Sequence, residues 1–374
     1  MLRQMRQLAT LAEKRSQPKT GILMLNMGGP QTLADVELFL TKLFLDRDII
    51  RMPFQSVLGP LIAKRRTPSI QKRYEEIGGG SPIYRYTRKQ GDLMCAELDK
   101  ISPESAPHRA YVGFRYAAPY SSDALEEIQR DGVRRVVAFT QYPQYSCCTT
   151  GSSLNQLYKE VADAPPALKD GVQWSFIDRW PVNEGLVQSF VDTIQAELQN
   201  VPQEKRDRLV LVFTAHSLPL SVVARGDTYP TEVSATVLAV MKKLNFAFPY
   251  RLVWQSKVGP VPWLAPKTDD AIRGLVARGR TAVMLVPIAF VNEHIETLHE
   301  LDIEYGDELA KELKLDKIYR AAAPNMNEHF IRGLAAEVKT HLDSRTAASP
   351  QLKMRCPLCD NADCVKLRRW INTC

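Results

Sequence analysis

Hydrophobic positions along the chain form short runs that alternate with longer stretches in which apolar residues recur every three or four positions. Short aliphatic runs predict strands, and the amphipathic stretches predict helices. The predicted strands cover residues 21–26, 110–116, 135–139, 173–177, 209–214, 252–255, 282–288 and 317–320. The predicted helices cover residues 33–44, 86–100, 121–130, 152–161, 185–199, 231–244, 269–277, 293–313 and 326–342.

This alternation predicts the α/β fold class, with parallel sheets flanked by helices. Runs such as 209–214 and 282–288 are apolar on both faces, as central strands of a parallel sheet are. One βαβ-type layout is used twice, and 374 residues correspond to roughly two domains. We expect a basic segment at 1–20, a first domain at 21–180, a second domain at 181–345 and a C-terminal extension at 346–374.

The composition is that of an ordinary globular protein, with 45% hydrophobic and 24% charged residues, which excludes a disordered or collagen-like chain. No apolar run is long enough to cross a membrane as a helix. The net charge of +7 suggests nucleic acid or an anionic membrane as a partner. However, residues 1–20 contribute +4 and residues 351–374 contribute +3, so the neutral remainder does not predict nucleic-acid binding.

Two segments suggest a cellular location. Residues 1–20 are basic, poor in acids and contain spaced Leu and Met, which is typical of a mitochondrial presequence or of a plain tail. Residues 49–63 are apolar without regular periodicity and are followed by Lys64, Arg65 and Arg66. We call residues 49–66 the lip. An apolar segment edged by cations suits a membrane interface, and the alternative is a buried loop.

The seven cysteines are unevenly distributed, with a C-x2-C-x4-C motif at residues 356–364. Thiolates at this spacing bind a soft metal ion or an iron–sulfur cluster. Both kinds of site need four ligands, so a fourth must come from Cys374 or from a remote position. The best remote donor is the Cys147-Cys148 pair, because it lies in a polar, loop-like run. Spacing alone leaves zinc and iron–sulfur equally favoured.

Two further motifs follow apolar strands. His216 lies in FTAHSLP, and Glu296 lies in PIAFVNEHIET. Glu296, Glu300 and Glu304 recur every four residues, which predicts one stripe on a helix. Imidazole with carboxylate suits either a divalent metal or general acid–base chemistry. The alternatives are a structural histidine and a solvated acidic helix.

Several unusual motifs resemble the ferrochelatase family of the animal mitochondrial type, in order along residues 20–374: LNMGGP, AKRRTP, IGGGSP, GFRYAAP, TQYPQYSC, IDRWP, AHSLP, YRLVWQSKVGPVPWL and HIETLHELDIEY. The terminal CPLC-x4-C resembles the family branch with a 2Fe–2S cluster. The resemblance implies insertion of Fe(II) into protoporphyrin IX to form haem, the terminal step of haem biosynthesis. It also implies two Rossmann-like chelatase domains, a homodimer and peripheral attachment to the matrix side of the mitochondrial inner membrane.

The resemblance also implies roles for individual residues. His216 is the proton acceptor or metal-handling group over the macrocycle, and Glu296 faces it, supported by His294 and Glu293. An acidic path for protons or metal continues through Glu300 and Glu304. The implied porphyrin-binding residues are Met27, Arg65, Arg66, Tyr74, Ser81, Arg115, Tyr116, Tyr142, Trp254, Trp263 and Phe290. The implied cluster ligands are Cys147, Cys356, Cys359 and Cys364.

The chain departs from the family pattern at two positions. Glu293 stands where many relatives have Asp, and Cys148 stands beside Cys147 where relatives often have Ser. We expect Cys147 to be the ligand and the cluster to be structural, because metalation is redox-neutral. Two alternative functions are a non-enzymatic haem or iron–sulfur binding protein on a degenerate chelatase fold, and a chelatase for another metal, since Co(II) and Zn(II) suit the same ligands.

Overall fold

Eight parallel strands form two four-stranded sheets within residues 18–374, the part of the chain that the computed structural model describes. The predicted basic segment therefore lies outside the described residues, except for its last three positions. The first sheet has the order β2-β1-β3-β4 and the second the order β6-β5-β7-β8. The strands are β1 Thr20–Asn26, β2 His108–Phe114, β3 Arg135–Thr140, β4 Gln173–Ile177, β5 Val210–His216, β6 Tyr250–Gln255, β7 Val283–Val286 and β8 Tyr319–Arg320.

The two sheets repeat one topology, which confirms the predicted α/β class and its doubled layout. In each sheet the first strand in sequence lies in the interior, with all its neighbours parallel to it. Strands β1 and β5 are buried on both faces, as their continuous apolar sequences predict. The carboxyl ends of these strands are therefore the places where a site is expected.

Helices connect the strands. The longer α-helices are Val36–Leu45, Gln55–Glu76, Ile83–Ile101, Ser121–Arg130, Ser152–Ala162, Glu184–Leu198, Tyr229–Lys243, Thr268–Val276, Glu328–Ser344 and Ala362–Ile371. Short α-helical turns are Pro166–Lys169, Gln203–Arg206, Leu220–Ala224, Ile295–Leu298, Ala310–Glu312 and Pro350–Lys353. A 3₁₀ turn covers Leu33–Asp35, and π-helical segments cover Cys147–Gly151 and Glu300–Leu309. No helix among residues 18–374 is long and apolar enough to cross a membrane.

The helix Gln55–Glu76, which we call the lip helix, is absent from the sequence prediction. Its buried stripe consists mainly of small or polar residues, including Gly59, Ala63 and Thr67. A Cβ on Gly59 would lie 3.3 Å from Phe44 O, so this stripe permits close approach to the preceding helix. The large apolar side chains point outwards instead. The amphipathic pattern is thus inverted, and two internal prolines hide it further.

The prediction of one continuous α-helix at 293–313 is wrong. The structure has the short α-helix Ile295–Leu298 followed by the π-helix Glu300–Leu309. The wider turn is seen where the Glu304 amide donates to His299 O at 2.9 Å, an i→i+5 bond. A repeat of four residues does not give one stripe on such a helix, so Glu296, Glu300 and Glu304 are not aligned.

The two sheets share one hydrophobic core. Met24 and Phe139 of the first sheet belong to the same buried cluster as Phe213 and Met284 of the second. The helix Glu328–Ser344 contributes to this cluster and packs against the helices Ile83–Ile101 and Glu184–Leu198. The C-terminal chain thus holds the two sheets together.

The last helix, Ala362–Ile371, packs on the outer face of the first sheet. The Trp370 ring lies 5.0 Å from Phe176, 5.8 Å from Trp174 and 5.7 Å from Tyr158 between ring centres. Leu367 belongs to the same buried cluster. This aromatic contact fixes the segment that bears the three clustered cysteines.

Candidate functional site

His216 is the last residue of β5, at the carboxyl edge of the second sheet. Its Nδ1–H donates to Ser217 O at 2.6 Å, which selects the tautomer with a free lone pair on Nε2. That Nε2 lies 3.5 Å from Glu296 Oε1. The Trp263 ring lies 6.4 Å from the imidazole, and the His216 side chain is 36% exposed. The imidazole of His216 is therefore held in one orientation, with Nε2 directed towards Glu296.

Glu296 lies in the first turn of the short helix Ile295–Leu298. Its Oε2 is 3.2 Å from His294 Nε2. Burial raises the pKa of Glu296, but the neighbouring His216 and His294 outweigh burial and hold that pKa below its usual value. Glu296 is therefore a carboxylate between two imidazoles, although little water reaches it.

Three tyrosines surround Glu296. Tyr74 comes from the lip helix, Tyr142 follows β3, and Tyr229 begins the helix Tyr229–Lys243. Burial raises the pKa of each phenol, and the charge of Glu296 raises it further. Because each ring feels this charge, the carboxyl ends of both sheets and the lip helix meet at Glu296.

Glu300 is surrounded by hydrogen-bond donors. Its carboxylate accepts hydrogen bonds from the Ser256 amide at 2.8 Å and from Gln255 Nε2 and Tyr305 OH at 3.0 Å each. Ser256 reaches it from a left-handed backbone conformation with φ of 63°, which is costly for this residue and typical of functional sites. Burial and the charge of Glu296 nevertheless raise the pKa of Glu300. The pKa values of the two carboxyls are thus shifted in opposite directions, as in acid–base pairs.

The other two predicted acids point away from His216. Glu293 accepts from Arg320 Nη1 at 2.8 Å and from the Ala323 amide at 3.0 Å, behind the site. Glu304 lies 2.9 Å from Arg73 Nη2. The structure therefore brings together His216, His294, Glu296 and Glu300, whereas Glu293 and Glu304 form ion pairs outside that group.

The predicted porphyrin-binding residues near Glu296 come from both sheets, and we call the space between them and His216 the cleft. The Met27 amide, after β1, donates to Tyr142 OH at 2.7 Å. The Phe290 ring lies 4.8 Å from His294, and the Trp254 ring lies 5.9 Å from Tyr229. Ser81 is fixed near the cleft by its amide, which donates to Pro30 O at 2.7 Å.

The predicted basic residues fall into two groups. Arg65 is exposed on the lip helix, and the guanidinium of Arg66 lies 5.7 Å from the Phe44 ring. Burial lowers the pKa of Arg66. Arg115 Nη2 instead lies 3.1 Å from Asp46, to which the buried Tyr116 also donates at 2.5 Å.

Asp46 was missed by the sequence analysis. It is a single buried acid in a loop, and only its packing against Arg115 and Tyr116 reveals its role. Gln255, Ser256 and Tyr305 were missed for the same reason. Their donors converge on Glu300 only in three dimensions.

Four thiols line one cavity on the other side of the lip: Cys147, Cys356, Cys359 and Cys364. Cys148 is not among the residues that line this cavity: its side chain is buried in the core, its Sγ–H donates to Asp48 O at 3.4 Å, and its thiol also interacts with that of Cys147. The Cys147 amide donates to Asp227 at 2.7 Å. Within residues 18–374, no three His, Cys, Asp or Glu side chains stand close enough to hold a metal ion as they are. A set of four thiols facing one space nevertheless fits the ligands of a 2Fe–2S cluster.

Comparisons with known proteins identify the family. A family model described as Ferrochelatase matches residues 19–342. The mitochondrial ferrochelatase of Homo sapiens is 56% identical over 360 residues, covering 96% of this chain and 85% of the human protein. That of Drosophila melanogaster is 54% identical, covering 94% of this chain and 91% of its own length.

Among solved structures, SirB from Bacillus subtilis with Fe3+ is 12% identical, with a TM-score of 0.47. The match covers 87% of this chain and 97% of the SirB chain. The family model spans most of the chain, and the two relatives are more than half identical to it over nearly its whole length. The chain therefore belongs to the ferrochelatase family.

Proposed function

We propose that His216, His294, Glu296 and Glu300 carry out the reaction of this family, in which Fe(II) enters protoporphyrin IX and two protons leave. The observation that supports this most strongly is the contact between His216 Nε2 and Glu296 Oε1 at 3.5 Å. A base with a free lone pair faces a carboxylate across a space walled by aromatic rings. A protein that only bound haem or a cluster would not need this pair.

Metalation exchanges two protons for one metal ion. The two pyrrole N–H groups must each lose a proton, and Fe(II) then binds the four ring nitrogens. In our proposal His216 Nε2 accepts a pyrrole proton, and the charge of Glu296 stabilises the imidazolium that forms. Glu300, whose pKa is raised by burial, takes up protons or hands the ferrous ion towards Glu296.

The aromatic walls would hold the apolar macrocycle. We propose that Met27, Tyr74, Tyr142, Trp263 and Phe290 contact the ring, because they lie around Glu296 and His216. The further proposed contacts are Ser81, Trp254, Arg115 and Tyr116, with Arg65 and Arg66 placed on the lip helix to meet the two propionates. We also keep the domain limits 21–180, 181–345 and 346–374 as a proposal, since the first sheet ends at Ile177 and the second begins at Val210.

Replacing His216 tests the proposed base. In His216→Ala we expect the rate of Zn(II) or Fe(II) insertion to fall by about 10²- to 10⁴-fold, because the proton acceptor is lost. Porphyrin affinity, measured by quenching of tryptophan fluorescence, should change little. The matched control is His329→Ala, which removes a half-exposed histidine paired with Asp192. Turnover near the wild-type rate in His216→Ala would contradict the assignment.

We further propose that Cys147, Cys356, Cys359 and Cys364 hold a 2Fe–2S cluster. When bound, the cluster would cross-link the C-terminal extension to the loop after β3. This proposal is supported by the cavity that the four thiols share and by the packing of Trp370 on the first sheet. The chain's own contribution is to position the thiols: Asn155 Nδ2 donates to Cys364 Sγ at 3.4 Å, and Asp227 fixes the amide of Cys147.

The two adjacent cysteines provide a matched pair for testing the ligands. In protein purified without oxygen, we expect Cys147→Ser to lose visible absorption and acid-labile sulfide. Cys148→Ser should keep both, because its thiol points towards Asp48 O. Loss of the cluster in Cys148→Ser alone would reverse the choice of ligand. A colourless wild-type protein with stoichiometric zinc would contradict the iron–sulfur proposal.

We propose that the protein acts in mitochondria, as its relatives named mitochondrial ferrochelatase do, at the matrix side of the inner membrane and as a homodimer. The lip supports membrane contact. Phe54, Val57 and Leu61 are 82%, 60% and 59% exposed, which argues against the alternative of a buried loop. An exposed apolar helix face with basic residues beside it suits insertion into the headgroup region.

Acidic residues placed on this exposed face of the lip should weaken membrane binding. For Val57→Glu/Leu61→Glu we expect vesicle affinity to fall at least about tenfold, because two apolar contacts are replaced by anions. Cosedimentation with phosphatidylcholine vesicles containing anionic phosphatidylglycerol measures this. Val182→Glu, at an equally exposed apolar position far along the chain, is the control. Equal binding of both variants would contradict the role of the lip.

A further inference from the structure

An ion cluster joins the lip helix to the π-helix. It consists of Arg73, Glu76, His299 and Glu304. His299 Nε2 is hydrogen-bonded to Glu76 Oε2 at 2.7 Å, and His299 Nδ1 lies 3.2 Å from Glu304 Oε1. Arg73 Nη2 lies 2.9 Å from the same Glu304 oxygen. The imidazole of His299 and the guanidinium of Arg73 thus lie against two carboxylates, those of Glu76 and Glu304.

His299 is the shielded centre of this cluster, at 6% exposure. Its ring nitrogens face carboxylates on two different helices. Removing one partner of a buried polar contact leaves the other partner without its hydrogen bond, which destabilises the packing around it. Glu76 also lies 3.9 Å from Lys72 Nζ, which is largely exposed.

The cluster lies where both helices approach the reactive residues. On the lip helix, Tyr74 lies between Arg73 and Glu76 in sequence and is buried towards Glu296. On the other side, His299 connects the short helix bearing Glu296 to the π-helix bearing Glu300, and its carbonyl accepts the first π-type bond from Glu304. One imidazole therefore links the porphyrin side of the cleft to its acidic side.

We propose that His299 is a positioning residue that, through Glu76 and Glu304, fixes the lip helix on the π-helix and so prepares the cleft for the porphyrin. This rests on the proposed function of the same cleft. It also gives Glu304 a different task from Glu300: its carboxylate is held by Arg73 and His299 and serves as an anchor for the lip.

The two roles make different predictions. If Glu304 and His299 guide metal ions, their loss should weaken the apparent affinity for the metal. If they position the lip, their loss should weaken porphyrin binding, because only the fraction of molecules with the lip seated binds well. His216 and Glu296 keep their contacts in either case.

The first experiment measures the lip without any assay of activity. Hydrogen–deuterium exchange of the full chain is compared between wild type, His299→Ala and the control His329→Ala. We expect peptides from Gln55–Glu76 to exchange faster in His299→Ala, with Glu184–Leu198 unchanged. Unchanged exchange in the lip helix would overturn the proposal, whatever the enzyme's activity.

The second experiment separates the two substrates. We expect His299→Ala to raise the KM for porphyrin about tenfold, with the KM for Zn(II) and kcat within about threefold. A raised KM for Zn(II) with porphyrin KM unchanged would overturn the proposal in favour of a metal path. Loss of turnover in His216→Ala tests the proposed function separately.

Glu76→Ala tests the same link in case His299→Ala does not fold. Glu76 is 37% exposed, so its removal leaves the core intact while breaking the link from the lip side. We expect the same pattern, faster exchange in the lip helix and a porphyrin KM raised a few-fold. Wild-type behaviour of Glu76→Ala in both measurements would overturn the link through His299.

Discussion

The contact between His216 and Glu296 is the interaction on which the rest of the site depends. It joins the end of β5 to the segment after β7 across 3.5 Å. The Nδ1–H of His216 is committed to a backbone carbonyl, so its other nitrogen must face the carboxylate. His216 and His294 in turn hold the pKa of Glu296 below its usual value despite burial, whereas the pKa of Glu300 is raised. Of the two carboxylates, Glu300 is therefore the one that binds a proton more readily. Orientation and charge are thus set by the same few contacts.

The fold supplies this geometry by using one sheet topology twice. The carboxyl ends of β1, β3 and β5 meet around Glu296, which is why tyrosines from distant segments all feel its charge. The lip helix packs small residues inwards, against the preceding helix, and places apolar residues outwards. A helix built this way loses little core packing when its outer face meets a membrane. The ion cluster around His299 gives the same helix a polar attachment at its other end.

The strands and the strand-end position of His216 could be predicted because continuous apolar runs leave few alternatives. The lip helix could not, since its buried stripe is made of Gly59, Ala63 and Thr67. The π-helix could not either, because one widened turn leaves no mark in hydrophobic periodicity. Asp46 contacts Arg115 and His299 contacts Glu76, and in each pair the partner is far along the chain. No local sequence motif therefore predicts these contacts. The clustered cysteines are an intermediate case: spacing predicted that Cys356, Cys359 and Cys364 belong together, whereas the position of Cys147, and not Cys148, at the same cavity is visible only in the structure.

The most direct test of the central claim is the single-turnover rate of Zn(II) insertion into bound porphyrin in Glu296→Gln. Glutamine keeps the shape of the side chain and removes its charge. If the charge of Glu296 supports proton transfer to His216, the rate should fall by at least about 100-fold, while porphyrin affinity stays within about twofold. A rate within about threefold of wild type would contradict the account.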